Sequence, residues 1–351
     1  MLEQKVIPIK VCIVNDSNLM RKYLTDVISI DEIDVVSTAI DGKDALSKIS
    51  AKTPDVILLD LEMPRMDGLT FIENMVNSGT LIPTIIVSSF SQNGSKLVLD
   101  ALENGAVDFV AIPQDMKEKD KLREALITKI EIAHKSDPIQ LIQEKINSLK
   151  PKTKPTPRTD TSERVIVIGS STGGPGTVQT VLNGIPTDVD AGILLVQHMP
   201  KGFTKQFAER LSNNTGFFVK EAEEGDIIKN GQVLIAPGDF HMSVLQNRKV
   251  HLDSSEKRFG VRPSVNMTMI SASEVYGSNL VGVVLTGMGH DGGFGMKSIK
   301  KRGGHTIVQN KETCVIFGMP KAVIDLDAAD HILPLSDIPS KITEEVKKLV
   351  R

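Results

Sequence analysis

The chain has 351 residues, a formal net charge of −3 and two cysteines, Cys12 and Cys314. Its length suggests two domains, and its balanced charge gives no support for binding to nucleic acid or to a membrane surface. Because the cysteines do not suggest a disulfide framework, and no apolar run has the length of a membrane span or forms a signal sequence, we expect a cytoplasmic protein without a membrane-inserted segment.

The first part of the chain alternates short apolar runs with helix-like segments. The runs predicted as strands cover residues 10–14, 35–40, 56–59, 84–87 and 108–112. Five such units predict a flavodoxin-like α/β domain with a doubly wound parallel sheet. Asp16 follows the first strand and Asp60 the third, and such oxygen ligands suit Mg²⁺ beside a carboxylate that accepts a phosphoryl group. Alternatively, both aspartates cap the helices that follow them.

The segment PDVILLDLEMPRMDG, residues 54–68, resembles the phosphoacceptor region of response-regulator receiver domains. The resemblance covers about residues 8–130. It implies that Asp60 is the phosphoacceptor, that Ser88 is the switch hydroxyl and that Phe109 is the aromatic residue that reorients with it. The Mg²⁺ ligands that it implies are Asp16, Asn15, Asp60 and the backbone carbonyl of Glu62.

Two positions depart from the receiver pattern. Asn15 stands where the first acid of a pair is usual, which removes one negative charge from the metal site and keeps a carbonyl oxygen. Ile112 stands where the family has a lysine that contacts the phosphoryl group. Loss of that cation predicts weaker phosphoryl transfer and a weaker response to phosphorylation.

A change in composition separates the receiver-like region from the rest of the chain. Within residues 137–162, the segment KPKTKPTPR at 150–158 has four positive side chains and three prolines. This composition is typical of a semi-extended linker. We therefore predict a domain over 8–130, a linker over 137–162 and a second domain over 163–351.

The second domain begins with an apolar run that leads into a G-x-S-x-G turn with Ser171 at its centre. A serine at a strand-to-helix turn has an exposed hydroxyl, with helix N-terminal amides beside it to stabilise negative charge. Such a turn can also be a simple connection between two elements. By itself it therefore leaves catalysis and connection as alternatives.

Two later segments place a histidine and an acid after predicted strands. His198 follows the apolar run at 191–196, and Asp291 lies in the glycine-rich loop after the run at 280–285. Open α/β sheets gather such loops at one edge, where an imidazole can take a serine proton and a carboxylate can orient the imidazole. The chain order Ser, His, Asp differs from that of α/β-hydrolases, which indicates another scaffold.

The motifs of this region resemble those of the chemotaxis protein-glutamate methylesterases over about residues 164–320. They are GSSTGG at 169–174, QHMP at 197–200, APGD at 236–239, RPSV at 262–265 and LTGMG at 285–289, followed by Asp291 and Gly292. The resemblance implies an α/β domain with a mainly parallel sheet, a triad of Ser171, His198 and Asp291, and an oxyanion site formed by the amides of Met288 and Thr172.

The reaction that this resemblance implies is hydrolysis of glutamate methyl esters on chemoreceptors, with release of methanol, deamidation of receptor glutamines and control by the receiver. Catalysis then needs no organic cofactor. The implied partners are methyl-accepting chemotaxis receptors as substrate and the histidine kinase of the chemotaxis system as phosphodonor, and we expect a monomer. A group of basic residues suits contact with acidic receptor helices. Alternatively, these residues form a solvated charge cluster. They are Lys257, Arg258 and Arg262. His290 replaces the asparagine that such proteins usually carry beside the triad acid.

Two other functions fit parts of the sequence. Residues 287–292 read G-x-G-x-x-G between a strand and a helix, which is also typical of a dinucleotide-binding oxidoreductase. However, the next predicted strand ends at Asn310 rather than at the acid that such a site needs, and Glu312 lies beyond it. The other alternative is a receiver-regulated binding protein without catalysis, and the presence of all three triad residues disfavours it.

Overall fold

The computed structural model describes residues 7–89, 92–113, 118–136 and 161–349. The chain forms two compact units, Met1–Lys145 and Ile146–Arg351. The predicted linker lies outside the described residues except for Thr161 and Ser162. None of the helices in the described ranges has the length and apolar character of a membrane span.

The N-terminal unit contains a five-stranded sheet in the order β2-β1-β3-β4-β5, in which every pair is parallel. This is the flavodoxin-like order, so the predicted doubly wound sheet is confirmed. The second strand begins earlier than predicted because Ile33 is buried and pairs with Ile9, and it ends before the exposed Ile40. The strands are β1 Ile9–Val14, β2 Ile33–Ala39, β3 Val56–Leu59, β4 Thr84–Ser89 and β5 Asp108–Ile112.

A helix follows each strand of this sheet. Three of the helices begin at side-chain caps, in which Ser17, Asp41 and Asp67 accept hydrogen bonds from main-chain amides of the first turn. β3 is wholly buried, as expected for a parallel strand covered on both faces. The helices are α1 Asn18–Val27, α2 Gly42–Ala51, α3 Gly68–Asn77, α4 Gln92–Glu103 and α5 Lys119–Lys135.

The C-terminal unit contains a seven-stranded sheet in the order β14-β13-β12-β6-β7-β9-β8, also parallel throughout. The predicted mainly parallel sheet is therefore confirmed. The strands are β6 Val165–Ser170, β7 Gly192–Gln197, β8 Phe218–Glu221, β9 Gln232–Ile235, β12 Leu280–Val284, β13 His305–Gln309 and β14 His331–Leu333. A separate antiparallel pair is formed by β10 His241–Val244 and β11 Val250–Asp253.

The central strands β6, β7 and β12 are buried along their whole length. Strands of this kind need helices on both faces of the sheet, which explains why their sequences are continuous apolar runs. The helices of the C-terminal unit are α6 Gly174–Gly184, α7 Phe203–Asn214, α8 Val265–Tyr276, α9 Gly293–Lys301, α10 Met319–Asp325 and α11 Ile338–Lys348.

The strand order of the C-terminal sheet reverses at β6. The chain runs outward from β6 through β7 to β8 and β9, and then returns to β12 on the other side of β6. In open α/β sheets such a reversal leaves a crevice at the carboxyl ends of the strands, where ligands bind. Gly169 pairs with both Val196 and Val284, so β6, β7 and β12 reach this edge at the same level.

Candidate functional site

Ser171 is the first residue after β6 and lies in the turn that leads into α6. Its amide donates to the Thr286 carbonyl at 3.1 Å, and its own carbonyl accepts a hydrogen bond from the Gly174 amide at 2.8 Å. Gly173 has a φ of +75°, a left-handed conformation that glycine adopts readily, so the chain turns sharply there. The backbone of Ser171 is thus fixed at the edge of the sheet.

Gly287 comes from the loop after β12 and packs directly against Ser171. A Cβ atom on Gly287 would lie 2.8 Å from Ser171 Cβ and 2.4 Å from Met319 Sδ, so only glycine fits. The Gly287 amide donates to the Ile316 carbonyl at 3.0 Å, and its carbonyl accepts from the Met319 amide at 2.8 Å. These contacts hold the loop against the serine.

The two amides predicted to form the oxyanion site lie next to this contact. Met288 directly follows Gly287, and no described residue accepts a hydrogen bond from its amide. Thr172 directly follows Ser171 and is buried, and its carbonyl accepts a hydrogen bond from Thr286 Oγ1 at 3.1 Å. Both amides therefore belong to segments that the Thr286–Gly287 loop holds together.

The structure brings His198 and Asp291 into contact. His198 follows β7, and its Nε2 lies 2.9 Å from Asp291 Oδ2. The side chains of His198 and Asp291 are only 10% and 3% exposed. With Nε2 donating to the carboxylate, Nδ1 is the ring nitrogen that can accept a proton. Within the described ranges, no hydrogen bond joins the Ser171 hydroxyl to this ring. Such catalytic contacts commonly tighten only when substrate binds.

Asp291 lies at the N-terminus of α8. Its Oδ1 accepts hydrogen bonds from Ser264 Oγ at 2.9 Å and from the Asn266 amide at 3.0 Å, and its Oδ2 accepts from the Val265 amide at 2.6 Å. Burial alone would raise the pKa of Asp291. The hydrogen bond and charge of His198 and the α8 amides outweigh burial, so the pKa lies below its ordinary value. Asp291 therefore stays ionised and can orient the imidazole.

Two buried glutamines support the site in a way that the sequence motifs did not predict. Gln197 is 2% exposed, accepts from Ser170 Oγ at 2.5 Å and donates to the Ser171 carbonyl at 2.8 Å. Gln309 is fully buried and accepts from the Thr286 amide at 2.8 Å. Both glutamines end buried apolar strands, which is the sequence signal that could have identified them, since buried polar groups are normally hydrogen-bonded.

A second site lies at the carboxyl edge of the N-terminal sheet. Val14 pairs with Leu59, so Asn15 and Asp60 leave the sheet side by side. Asn15 Nδ2 donates to Asp60 Oδ2 at 2.7 Å, and Asn15 Oδ1 accepts from the Ser17 amide at 2.9 Å. These two bonds fix the orientation of the Asn15 amide group. A donor therefore faces the predicted phosphoacceptor where an acid is usual.

Burial is the main reason that the pKa of Asp60 is raised to about 6. The charges of Asp16 and Glu62 raise this pKa further, and hydrogen bonds from the amides of Glu62 and Leu61 partly offset the increase. Helix α1 is capped by Ser17 and α3 by Asp67, so neither Asp16 nor Asp60 is the capping residue that the alternative interpretation requires.

The proximity of two carboxylates and the Glu62 main chain fits a Mg²⁺ ion, which needs only one or two carboxylates. In the described part of the chain, no three His, Cys, Asp or Glu side chains are grouped to hold a metal. A metal at Asp60 would therefore also need main-chain or amide oxygens.

Ser88 and Phe109 share one face of the sheet, because Ser88 pairs with Ala111 and Phe109 pairs with Ile86. Both side chains are buried. Lys129 lies 5.5 Å from the centre of the Phe109 ring and pairs with Asp108 at the amino end of β5. Ile112 is at the opposite end of that strand, so Lys129 does not supply the cation that Ile112 lacks.

Arg21 is the cation that the structure places beside the acidic edge. Its Nη1 donates to the main-chain carbonyls of Asn15 at 2.7 Å and of Asp16 at 3.0 Å. The guanidinium thus fixes the loop that carries the predicted metal ligands.

Comparison with known proteins identifies two families along the chain. A family model described as CheB methylesterase matches residues 166–342, and one described as response regulator receiver domain matches residues 11–126. A protein-glutamate methylesterase/protein-glutamine glutaminase of Symbiobacterium thermophilum is 42% identical over 354 residues, covering 97% of each chain. The protein of that name from Thermotoga maritima is 42% identical over 346 residues, or 96% of this chain and 98% of its own.

A similar solved structure is described as the CheB methylesterase catalytic domain of Thermotoga maritima. It matches with a TM-score of 0.50 and 49% sequence identity, and the match covers 52% of this chain and 97% of that domain. The sheet that carries Ser171, His198 and Asp291 therefore has a close counterpart in a solved structure.

Asp291→Asn keeps the shape of the side chain but replaces a carboxylate that accepts several hydrogen bonds. We expect the free energy of unfolding at pH 7 to fall by about 2 kcal/mol, the scale of hydrogen bonds to charged groups. Because the folded pKa of Asp291 is depressed, its contribution is present above the unfolded pKa of about 3.9 and is lost as the pH falls through the folded value.

Urea denaturation of wild type and variant between pH 7 and pH 3 measures this effect. The difference in stability should shrink below about pH 4. Asp325→Asn is the matched control, because Asp325 is exposed and pairs only with Lys321 among the described residues. An Asp291→Asn difference that does not change with pH would show that the carboxylate charge is not what the helix terminus stabilises.

Proposed function

Because this chain belongs to the CheB family of protein-glutamate methylesterases, with a response regulator receiver domain, we propose that it hydrolyses glutamate methyl esters on methyl-accepting chemotaxis receptors. Methanol is the product, and receptor glutamines are deamidated at the same site. The observation that carries this proposal is the contact between His198 and Asp291 at the crevice where Ser171 and Gly287 meet.

The reaction begins when Ser171 Oγ attacks the ester carbonyl and His198 Nδ1 takes the hydroxyl proton. Asp291 stabilises the imidazolium through the hydrogen bond at Nε2. His198 then gives the proton to the departing methoxide, so methanol leaves and an acyl-enzyme ester remains on Ser171. For a glutamine substrate the leaving group is ammonia.

Water completes the cycle by attacking the acyl-enzyme. His198 removes a proton from this water and returns it to Ser171 Oγ as the glutamate carboxylate is released. The amides of Met288 and Thr172 receive the negative charge that develops on the carbonyl oxygen in both steps. No described residue accepts a hydrogen bond from the Met288 amide, which supports this role.

The same loop argues against the dinucleotide-binding alternative. Its first glycine, Gly287, packs against Ser171 and Met319, and Asp291 is committed to His198 and α8. The loop therefore serves the serine rather than an open phosphate site. The presence of Ser171, His198 and Asp291 likewise disfavours a binding protein without catalysis.

We propose that the receiver domain over 8–130 controls a catalytic domain over 163–351 through the linker at 137–162. The matched family ranges fall inside these two domains. The phosphodonor in this proposal is the histidine kinase of the chemotaxis system, and a monomer and a cytoplasmic location stay predictions.

Mg²⁺ in the receiver would be held by Asp16, Asp60 and the Glu62 carbonyl, with Asn15 beside them. The ion supplies positive charge that offsets the incoming phosphoryl group. The side-chain amide of Asn15 donates a hydrogen bond to the Asp60 carboxylate. This neutral donor stands where a second acid would help to bind the metal. Phosphorylation of Asp60 is therefore expected to be slow.

Ser171→Ala and His198→Ala should each lower methanol release from methylated receptor by about 10⁶-fold, as in other acyl-transfer triads. Asp291→Asn should lower it by about 10⁴-fold, because the imidazole tautomer is mis-set while nucleophile and base remain. The measurement is release of labelled methanol from receptor-containing membranes.

Ser336→Ala and His251→Ala are matched controls in the same unit, since these side chains hydrogen-bond to Asp337 and Glu224 instead. Both should keep the wild-type rate. Circular dichroism establishes that each variant is folded. Normal turnover by folded Ser171→Ala protein would rule out a serine nucleophile.

The receiver gives a separate prediction. Ile112→Lys should speed phosphorylation by a small-molecule donor and strengthen activation, because a cation then meets the phosphoryl charge. Adding Asn15→Asp should increase both effects only when Mg²⁺ is present, since two facing carboxylates repel each other without a metal. Mass spectrometry of the labelled protein and methanol release measure the two effects.

Ile7→Lys adds the same charge at an exposed position before β1, at the amino edge of the sheet, and should change neither quantity. Asp60→Asn should abolish every gain. Rapid and stoichiometric labelling of the unmodified chain at Asp60, with strong activation, would contradict the prediction and point to Arg21 as the replacement cation.

A further inference from the structure

An aromatic cluster is exposed beside the triad. Nine large hydrophobic side chains are exposed among the described residues, and Phe259, Met288 and Phe294 are 53%, 43% and 51% exposed. The Phe259 ring stacks on Phe294 with centroids 6.2 Å apart and meets the edge of His290 at 4.7 Å. Met288 lies two residues before His290 in the same loop. We call these four residues the aromatic patch.

The aromatic patch is attached to the triad on two sides. His290 immediately precedes Asp291. Helix α9 begins two residues after Asp291, and Phe294 lies in its first turn. On the other side, the loop that carries Phe259 leads to Ser264, whose hydroxyl donates to Asp291 Oδ1 at 2.9 Å. The patch is therefore fixed relative to the carboxylate that orients His198.

The backbone holds Phe259 outward in an unfavourable conformation. Its φ is +51°, in the left-handed region that bulky residues rarely adopt. Reciprocal hydrogen bonds between the main chains of Arg258 and Val261, each 3.0 Å, close the turn. An exposed phenylalanine at such a position is typical of a binding surface, where local strain persists because the side chain is used.

Positive charge lies next to the rings. Lys257 and Arg258 are exposed, and neither forms an ion pair with any residue in the described ranges. Arg262 differs from them, because its guanidinium donates to the carbonyls of Ser254 and Ser255 and so holds the loop. The segment that carries Phe259 thus presents two exposed cations, preceded by one acid, Glu256.

We propose that the aromatic patch is the docking surface for the substrate protein. It takes a segment that has apolar side chains next to the esterified glutamate and acidic side chains facing Lys257 and Arg258. This inference rests on the proposed function. Each turnover converts an ester into a glutamate carboxylate, so the segments that the enzyme processes become acidic. The stacked rings are preorganised, so docking orders few side chains.

The test compares two substrates of the full-length chain. One is methylated chemoreceptor in membranes, and the other is N-acetyl-glutamate γ-methyl ester, which has no neighbouring side chains. Phe259→Asn and Phe294→Ala should each raise KM for the receptor by about tenfold, the effect of losing part of a buried aromatic contact, and leave hydrolysis of the small ester unchanged. Asparagine tolerates the positive φ and alanine suits a helix, so both variants should fold.

Ile332→Ala and Leu245→Ala are matched controls, because these apolar side chains are 49% and 42% exposed elsewhere in the same unit. Neither should change KM for the receptor. Lys257→Gln combined with Arg258→Gln should also raise KM for the receptor and weaken its dependence on salt, since opposite charges then no longer attract.

Three results would overturn the inference. An unchanged KM for the receptor would show that the patch is not used, and equal losses on both substrates would place it in the catalytic machinery. Faster hydrolysis of both substrates would show that another protein surface covers the patch in the wild type. If the wild type released methanol from neither ester, the proposed function itself would fail, a result distinct from these three.

Discussion

Asp291 accepts hydrogen bonds from His198, from Ser264 and from the first amides of α8, and the crevice of the C-terminal sheet is arranged around this buried charge. A carboxylate in this position would destabilise the fold without such donors. The N-terminus of α8 supplies such donors from its main-chain amides, and Oδ2 of Asp291 also contacts the imidazole of His198. The same bonds that make burial tolerable therefore set the orientation of His198.

Both units use the carboxyl edge of a parallel sheet, but they balance charge there in different ways. In the C-terminal unit the hydrogen bond and charge of His198, together with the amides of α8, keep the pKa of Asp291 low. In the N-terminal unit burial and neighbouring acids raise the pKa of Asp60 to about 6, and the nearest side-chain donor is the neutral amide of Asn15. The first arrangement suits a permanently ionised orienting group. The second suits a carboxylate whose charge depends on its surroundings.

The aromatic patch links substrate selection to this framework. Phe259 and Phe294 lie on segments that begin or end at contacts with Asp291, so a molecule that docks on the rings meets a surface of fixed geometry. Catalysis and recognition would then share one structural support. Fixed geometry of this kind is what an esterase needs when its substrate is one side chain of a much larger protein.

The sequence by itself determined the strand pattern and the residue types of the triad, and it predicted an organisation into two domains. Continuous apolar runs and glycine-rich turns depend on residues that are close together in the sequence. The five-stranded sheet and the positions of Ser171, His198 and Asp291 after their strands could therefore be predicted. Only the tertiary structure decided the supporting contacts. The roles of Ser264, Gln197 and Gln309, the packing of Gly287 on Ser171 and the donor that Asn15 presents to Asp60 depend on residues far apart in sequence, because strand order and register bring them together.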